Sequence, residues 1–329
     1  MRRRDFIGYV GAIALLVPES TRGQQPERTR RVAVLMNQVE KDPVAQSRFK
    51  AFSEELRRLG WVEGKNLTLS VRWGAPDIAR FRKHAAELVA TEPDVILAAS
   101  GATMPAIKEA TRTVPIVFAL VPDPVGSGFV ESMARPGGNA TGFTQFEFGL
   151  SGKWLELLKE VAPSIKRVAV LRDPIDPAGT GQFGAIRTSA PALGVELVPI
   201  DVRDAAGIER GIKAFAAAGN GGLIITGSAP AAAHRKLIIA LADRYRLPAV
   251  YAYAFFARDG GLVAYGPNLI DQYRQAAGYV DRILKGEKPA DLPVQSPTEY
   301  HLVINLRAAK ALGITVPQPL LTRANEVIE

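Results

Sequence analysis

The chain has 329 residues, 47% of them hydrophobic and 22% charged, no cysteine, and a formal net charge of +8. A chain of this length buries a large core and usually divides into two domains, and without cysteine it has no disulfide, no thiol chemistry and no lipid-anchored N-terminal cysteine. Beyond the first residues the positive charge is gathered into no dense or aromatic-interleaved tract, which argues against a nucleic-acid partner.

Arg2, Arg3 and Arg4 precede an apolar run from Phe6 to Val17. A bilayer-spanning helix needs roughly 20 such residues, so the run is too short for an anchor and suits a cleaved export signal over residues 1–23. Arg3-Arg4-Asp5-Phe6-Ile7 also matches the twin-arginine export pattern, so a periplasmic destination and a mature start near Gln24 are expected.

After Arg30 short apolar runs alternate with amphipathic segments. Arg31–Met36 is a β-branched strand, and Phe49, Phe52, Leu56 and Leu59 share one face of a helix capped at Ser47 and stopped at Gly60. Asn66–Trp73 alternates with period two, and Pro76 opens a helix that runs to Ala90. Asp94–Ser100, a helix from Thr103, and Pro115–Leu120 complete a β-α-β-α-β rhythm, the signature of a parallel sheet wrapped by helices.

The rhythm restarts at Arg167–Pro174 and continues through strands at Val195–Asp201, Gly221–Ser228 and Leu247–Tyr253. Two tandem units predict two doubly wound, Rossmann-like α/β lobes, with the Gly-rich stretch Ala134–Gly149 as their connector. Late strand-like passages at Gly261–Asn268 and Leu292–Asn305 read as further crossings. The expected domains are residues 30–144 plus 267–293 for lobe 1 and 145–266 plus 294–329 for lobe 2, hinged to close on each other.

No catalytic constellation is legible. His84, His234 and His301 are isolated from one another, no P-loop or G-x-S-x-G elbow occurs, and Gly126-Ser127-Gly128 ends at Glu131 where a dinucleotide fingerprint needs glycine. Ser47-x-x-Lys50 matches one fragment of the β-lactamase pattern without its companions. No cofactor, metal or enzymatic activity is expected.

Doubly wound sheets bind ligands beyond the carboxyl ends of their strands. There the loop Ser100-Gly101-Ala102-Thr103 offers hydroxyls and helix N–H groups to a carboxylate, or plain capping. Asp123, before Pro124, offers a carboxylate to an ammonium, or forms a turn. Arg172 and Asp173 end the first strand of the second unit and pair either with a ligand or with each other. Thr226 ends another strand. Tyr251, Tyr253, Phe255 and Phe256 cluster after a third, with Tyr265 beyond them, as a stacking surface or as interface filling.

The segments TVPIVFALVPDPVGSGFVESMARPGGNATGFT (113–144) and YRQAAGYVDRILKGEKPADLPVQSPTEYHLVINLRAAKALGI (273–314) resemble the periplasmic ABC-transporter substrate-binding proteins of the tryptophan/tyrosine type. The likeness runs from about Arg30 to Glu329. It implies a type I periplasmic-binding-protein fold with three crossings, a monomer without a membrane span, a permease with its ATPase as partners, and no cofactor. By position it implies Ser100–Thr103 as the ligand-carboxylate loop, Asp123-Pro124 as a conserved-type D-P turn, and Thr144 at the exit from lobe 1. Arg172-Asp173-Pro174 stands where members with aromatic ligands carry an Asn-Pro-type loop, and Met104 interrupts the Thr-Pro pair. An arginine there suits a second acidic group on a small anionic or zwitterionic ligand, an amino acid or related acid. A ligand-sensing domain of a receptor or regulator shares this architecture and is the alternative.

Overall fold

The computed structural model describes residues 28–75 and 77–329. The expected export signal over residues 1–23 and the expected helix opener Pro76 lie outside the described residues.

The first sheet is built from β1 (Arg30–Met36), β2 (Leu67–Trp73), β3 (Val95–Ala98), β4 (Ile116–Val121) and β5 (Ala140–Thr144), all parallel, in the order β2-β1-β3-β4-β5. Between them run α1 (Pro43–Arg58), α2 (Ile78–Ala90) and α3 (Met104–Ala110). All six residues of β4 are buried, as a parallel strand covered on both faces requires. Asp42 starts α1 by accepting a hydrogen bond from Ala45 N at 2.8 Å, with Pro43 in the first turn. Ser47, expected as that cap, lies one turn inside and donates to the Pro43 carbonyl. Asp77 caps α2 from the position after Pro76.

The chain then forms α4 (Gly152–Val161), β6 (Arg167–Arg172), α5 (Pro177–Ser189), β7 (Glu196–Asp201), α6 (Ala205–Ala216), β8 (Gly221–Ile225), α7 (Ala229–Ala233), α8 (Arg235–Arg244), β9 (Ala249–Tyr251), α9 (Ala254–Arg258) and β10 (Val263–Pro267). It continues through α10 (Leu269–Leu284), β11 (Tyr300–Asn305), α11 (Leu306–Leu312), α12 (Gln318–Arg323) and β12 (Glu326–Ile328). The second sheet has the order β12-β11-β10-β9-β8-β6-β7, parallel except where β10 meets β11. Among the described residues no helix is long and apolar enough to cross a membrane.

Each sheet has its own core. Phe52 and Leu56 of α1 pack with Tyr273 and Val280 of α10 on one face of the first sheet, and Phe81, Leu88 and Ile107 cover the other. Thus the chain leaves the first sheet after β5, returns as α10 against α1, β3, β4 and β5, and rejoins the second sheet as β11.

Two expectations are corrected. The Gly-rich stretch Ala134–Gly149 is not only a connector, because Ala140–Thr144 is a fully buried edge strand of the first sheet. In Leu292–Asn305 only the last six residues form a strand; Gln295 instead meets Phe143 in an isolated bridge, exchanging hydrogen bonds with Gly142 and Thr144.

The register of β4 against β5 shifts between Phe118 and Val121, and Leu120 there has φ 55°. Such a bulge re-aims the chain at a sheet rim. Opposite it, Gly142 has φ 153°, and a Cβ at this position would overlap the Phe118 carbonyl. Gly142→Ala is therefore expected to cost about 3 kcal/mol in chemical denaturation, through strain and backbone collision. Gly278→Ala, in α10 with no atom near its Cβ position, should add about 1 kcal/mol by the same measurement.

Candidate functional site

The parallel strands of both sheets deliver their carboxyl ends, and the helix starts that follow, as loop tips rich in polar groups. On the first sheet Asn37 and Gln38 follow β1, Arg48 lies in the first half of α1, Ser100 follows β3, Thr144 ends β5 and Gln272 lies near the start of α10. Each keeps at least one buried side-chain atom without a hydrogen-bond partner: Asn37 Oδ1, Gln38 Oε1, Arg48 Nε, Ser100 Oγ, Thr144 Oγ1 and both ends of the Gln272 amide. Native interiors leave few such groups, so this concentration marks a surface made to be hydrogen-bonded by something else.

Arg48 is the most unusual of them. It is 7% exposed, while the ion pairs along α1 are Lys50–Glu54 and Glu55–Arg58, so Arg48 has no carboxylate partner among the described residues. Its guanidinium lies beside the buried phenol of Tyr273, whose pKa burial pushes up to about 12 while Arg48 draws it down. The same phenol donates to the Ala99 carbonyl at 2.7 Å, which ties Arg48 to the loop that begins at Ser100.

The second sheet brings Asp176, Gln182 and Tyr253 to the same place. Burial pushes the phenol of Tyr253 well up, the charge of Arg48 opposes that shift and the charge of Asp176 adds to it, so both charges are felt at one hydroxyl. Gln145, just past β5, donates to that hydroxyl at 2.7 Å and joins the two halves. Phe146 and Phe255 stack about Tyr253, with ring centroids at 5.9 and 5.2 Å. Asp176 caps α5 by accepting from Ala178 N at 2.9 Å. Its carboxyl is held above the usual range, chiefly by burial, against the Ala178 hydrogen bond and with a smaller push from Asp173. No cation forms an ion pair with it among the described residues.

Of the residues singled out in the sequence, Ser100 and Thr144 stand in this cluster with free hydroxyls. Thr103 is fully buried and donates to the Ser100 carbonyl at 2.8 Å, while Gly101 N is directed to Leu120 O, so both serve the turn. Asp123 accepts from Gly126 N at 2.8 Å, and the Pro124 carbonyl accepts from Phe129 N, which makes Asp123-Pro124 a closed turn. Arg172 has its guanidinium 5.0 Å from the Phe183 ring centroid and near Thr180, and its Nε is buried without a hydrogen-bond partner. It makes no ion pair with Asp173, which accepts from Ile175 N. Thr226 donates to the Leu171 carbonyl at 2.9 Å. Tyr251 is core, stacked on Phe256 at 4.9 Å, and Tyr265 stacks on Tyr300.

Sequence reading missed Arg48, Asp176, Gln182 and Gln272. The available signal was the placement of Arg48 between Ala45 and Phe52 on the buried stripe of α1, where an unpaired cation is out of register with its neighbours. Among the described residues no three His, Asp or Glu side chains converge as metal ligands.

The family described as ABC transporter substrate binding protein matches residues 31–328. The chain belongs to that family. The "Tyrosine-binding protein" of Clostridioides difficile (strain R20291) is 23% identical over 304 residues, 90% of this chain and 85% of the relative. A conserved domain protein of Vibrio cholerae O1 biovar El Tor superposes with a TM-score of 0.82 at 29% identity, over 91% of this chain and all of that one. The ABC domain of a Streptococcus pneumoniae protein, solved in complex with L-Trp, also reaches 0.82 at 21% identity, over the same shares of each chain. The architecture is the type I periplasmic-binding-protein fold, and the protein is the solute-binding component of an ABC transporter, working with a permease outside the cytoplasm.

In this substrate-binding protein the raised pKa of Asp176 has a direct consequence. Because the folded value lies above the unfolded one, its stabilising share is complete below the unfolded pKa of an aspartate and is lost as pH rises through the folded one. Asp176→Asn keeps the cap oxygen and removes the half-buried charge. Its melting temperature without ligand should exceed the parent's at pH 7, and the gap should close as pH falls to 4 and below.

Proposed function

We propose that this protein captures a zwitterionic amino acid between its two lobes, with the ligand carboxylate at Arg48 and the ammonium at Asp176. The observation that carries the reading is a buried guanidinium without a carboxylate in one half and a half-buried carboxylate without a cation in the other, among the described residues, both felt at Tyr253. A buried charge left alone costs several kcal/mol, so each group favours a partner of opposite sign. An α-amino acid head carries one of each. Ser100, Thr144 and Gln272 add neutral groups around it. The relatives named for tyrosine and solved with L-Trp share that head group, which supports the class.

Contacts from both lobes coexist only when the lobes are together, so ligand binding shifts the population toward the shut form, which the permease then receives. The rim of the cleft fits docking. Ile78 and Ile175 are 70% and 72% exposed, and Val39, Val44, Val125 and Ile270 are exposed at the same strand-end face, so six of the eight exposed large apolar side chains among the described residues lie there. Export by the twin-arginine route, a periplasmic monomer and binding without turnover complete the proposal.

Isothermal titration with a panel of L-amino acids should find at least one that binds, and Arg48→Leu should weaken it about a hundredfold. Affinity unchanged in Arg48→Leu would end the charge assignment. Affinity should also climb as pH rises through the titration of Asp176, a slope that Asp176→Asn abolishes. The double variant Ile78→Asp, Ile175→Asp should retain ligand affinity and lose uptake through the permease.

A further inference from the structure

Gln182 has a feature that an amino acid head group does not use. It is 0% exposed on α5, and its Oε1 accepts from Gly227 N at 3.0 Å. That contact fixes which end of the amide is which, because a backbone donor can face only the oxygen. The Nε2 end is then a buried donor with no partner among the described residues.

The location of Gln182 connects it to the ligand cluster. A Cβ on Gly227 would overlap Phe146 Cζ and stand 2.9 Å from the Tyr253 hydroxyl, so Gln182 abuts the aromatic group at which Arg48 and Asp176 meet. The Tyr253 hydroxyl accepts from Gln145 Nε2, and burial keeps its own proton in place, so it too is left to donate. Beside the charged pair, the second lobe therefore presents two uncharged donors. Arg172, on the same sheet, holds its guanidinium over the Phe183 ring, 5.0 Å from the centroid, with its Nε buried and unpartnered.

From this arrangement we infer that Gln182 selects a ligand whose side chain carries an uncharged hydrogen-bond acceptor, a carbonyl, hydroxyl or phenol oxygen, received by the Gln182 N–H and the Tyr253 O–H. This rests on the zwitterion reading and narrows it. An apolar side chain would leave both donors buried and unmatched, the circumstance in which polar sites discriminate most strongly. A carboxylate side chain would lie near Asp176 and meet its like charge.

The test is isothermal titration of the protein with pairs of nearly equal shape: L-tyrosine and L-phenylalanine, L-glutamine and L-methionine, L-threonine and L-valine, with L-alanine as the head group alone. In the pair that binds most tightly, the acceptor-bearing member should lead by about tenfold or more. Gln182→Glu keeps an oxygen for Gly227 N and replaces the free donor by an acceptor, so it should erase that lead. Gln182→Met gives the same reading if the glutamate variant does not fold. Amino acids that bind without preference within pairs, or a preference that survives in both variants, would overturn the assignment to Gln182 and leave the zwitterion reading standing. If no amino acid binds, including L-alanine, both fall.

Discussion

A guanidinium buried without a carboxylate is the constraint around which the molecule is arranged. Stripping Arg48 of water costs several kcal/mol unless something replaces the lost hydration. Among the described residues it forms no ion pair, and the Tyr273 phenol beside it also holds the Ala99 carbonyl. Core packing would be served better by an apolar side chain at this position of α1, among Ala45, Phe52 and Leu56. The residue makes sense as half of an interaction completed from outside. On the proposed reading a ligand anion supplies the other half, and the stabilisation it brings is withheld from any conformation in which the lobes stand apart.

The fold makes such an arrangement inexpensive to build. Parallel sheets direct every strand's carboxyl end and every following helix start to one rim, and two sheets in one chain set two rims face to face. What remains is to connect them without locking them. The chain crosses after β5, and α10 returns to α1 before β11 rejoins the second sheet. The crossings bear the groups that must register a change in lobe position: Gln145 touches Tyr253 directly, and Thr144 hydrogen-bonds to Gln295 through its backbone. The bulge in β4 belongs to the same design. It tolerates Leu120 at a positive φ and requires Gly142 opposite, and the Leu120 carbonyl then receives Gly101 N at the edge of the site.

Much of this was legible in residue order, because buried parallel strands are short β-branched runs that little else resembles. Arg31–Met36, Pro115–Leu120 and Gly221–Ser228 all contain strands where their composition puts them. β5 escaped for the opposite reason: Ala-Thr-Gly-Phe-Thr after Pro-Gly-Gly-Asn has the composition of a loop, and only pairing with β4 makes it a strand. The site was legible as a region more than as residues. Hydroxyls and carboxylates at strand ends divide between serving the turn, as Thr103, Asp123 and Thr226 do, and being left free, as Ser100 and Thr144 are. That division depends on contacts a few ångströms away. Arg172 shows the difficulty, since its direction is decided by Phe183, a residue with no sequence relation to the cleft.

Charge also separates local recognition from the global field. The chain is basic as a whole, with a formal +8, and the simplest inference from that number is an anionic ligand. The cleft argues otherwise. Within it the buried guanidinium of Arg48 and the half-buried carboxylate of Asp176 both lack an ion-pair partner among the described residues, and apart from Arg172 Nε the other unpartnered side-chain atoms are neutral. Long-range charge hastens encounter and is screened over about 10 Å by salt, whereas a desolvated pair acts at contact and is screened little. On the proposed reading the ligand's net charge follows the cleft, where Arg48 and Asp176 together suit a guest with one charge of each sign.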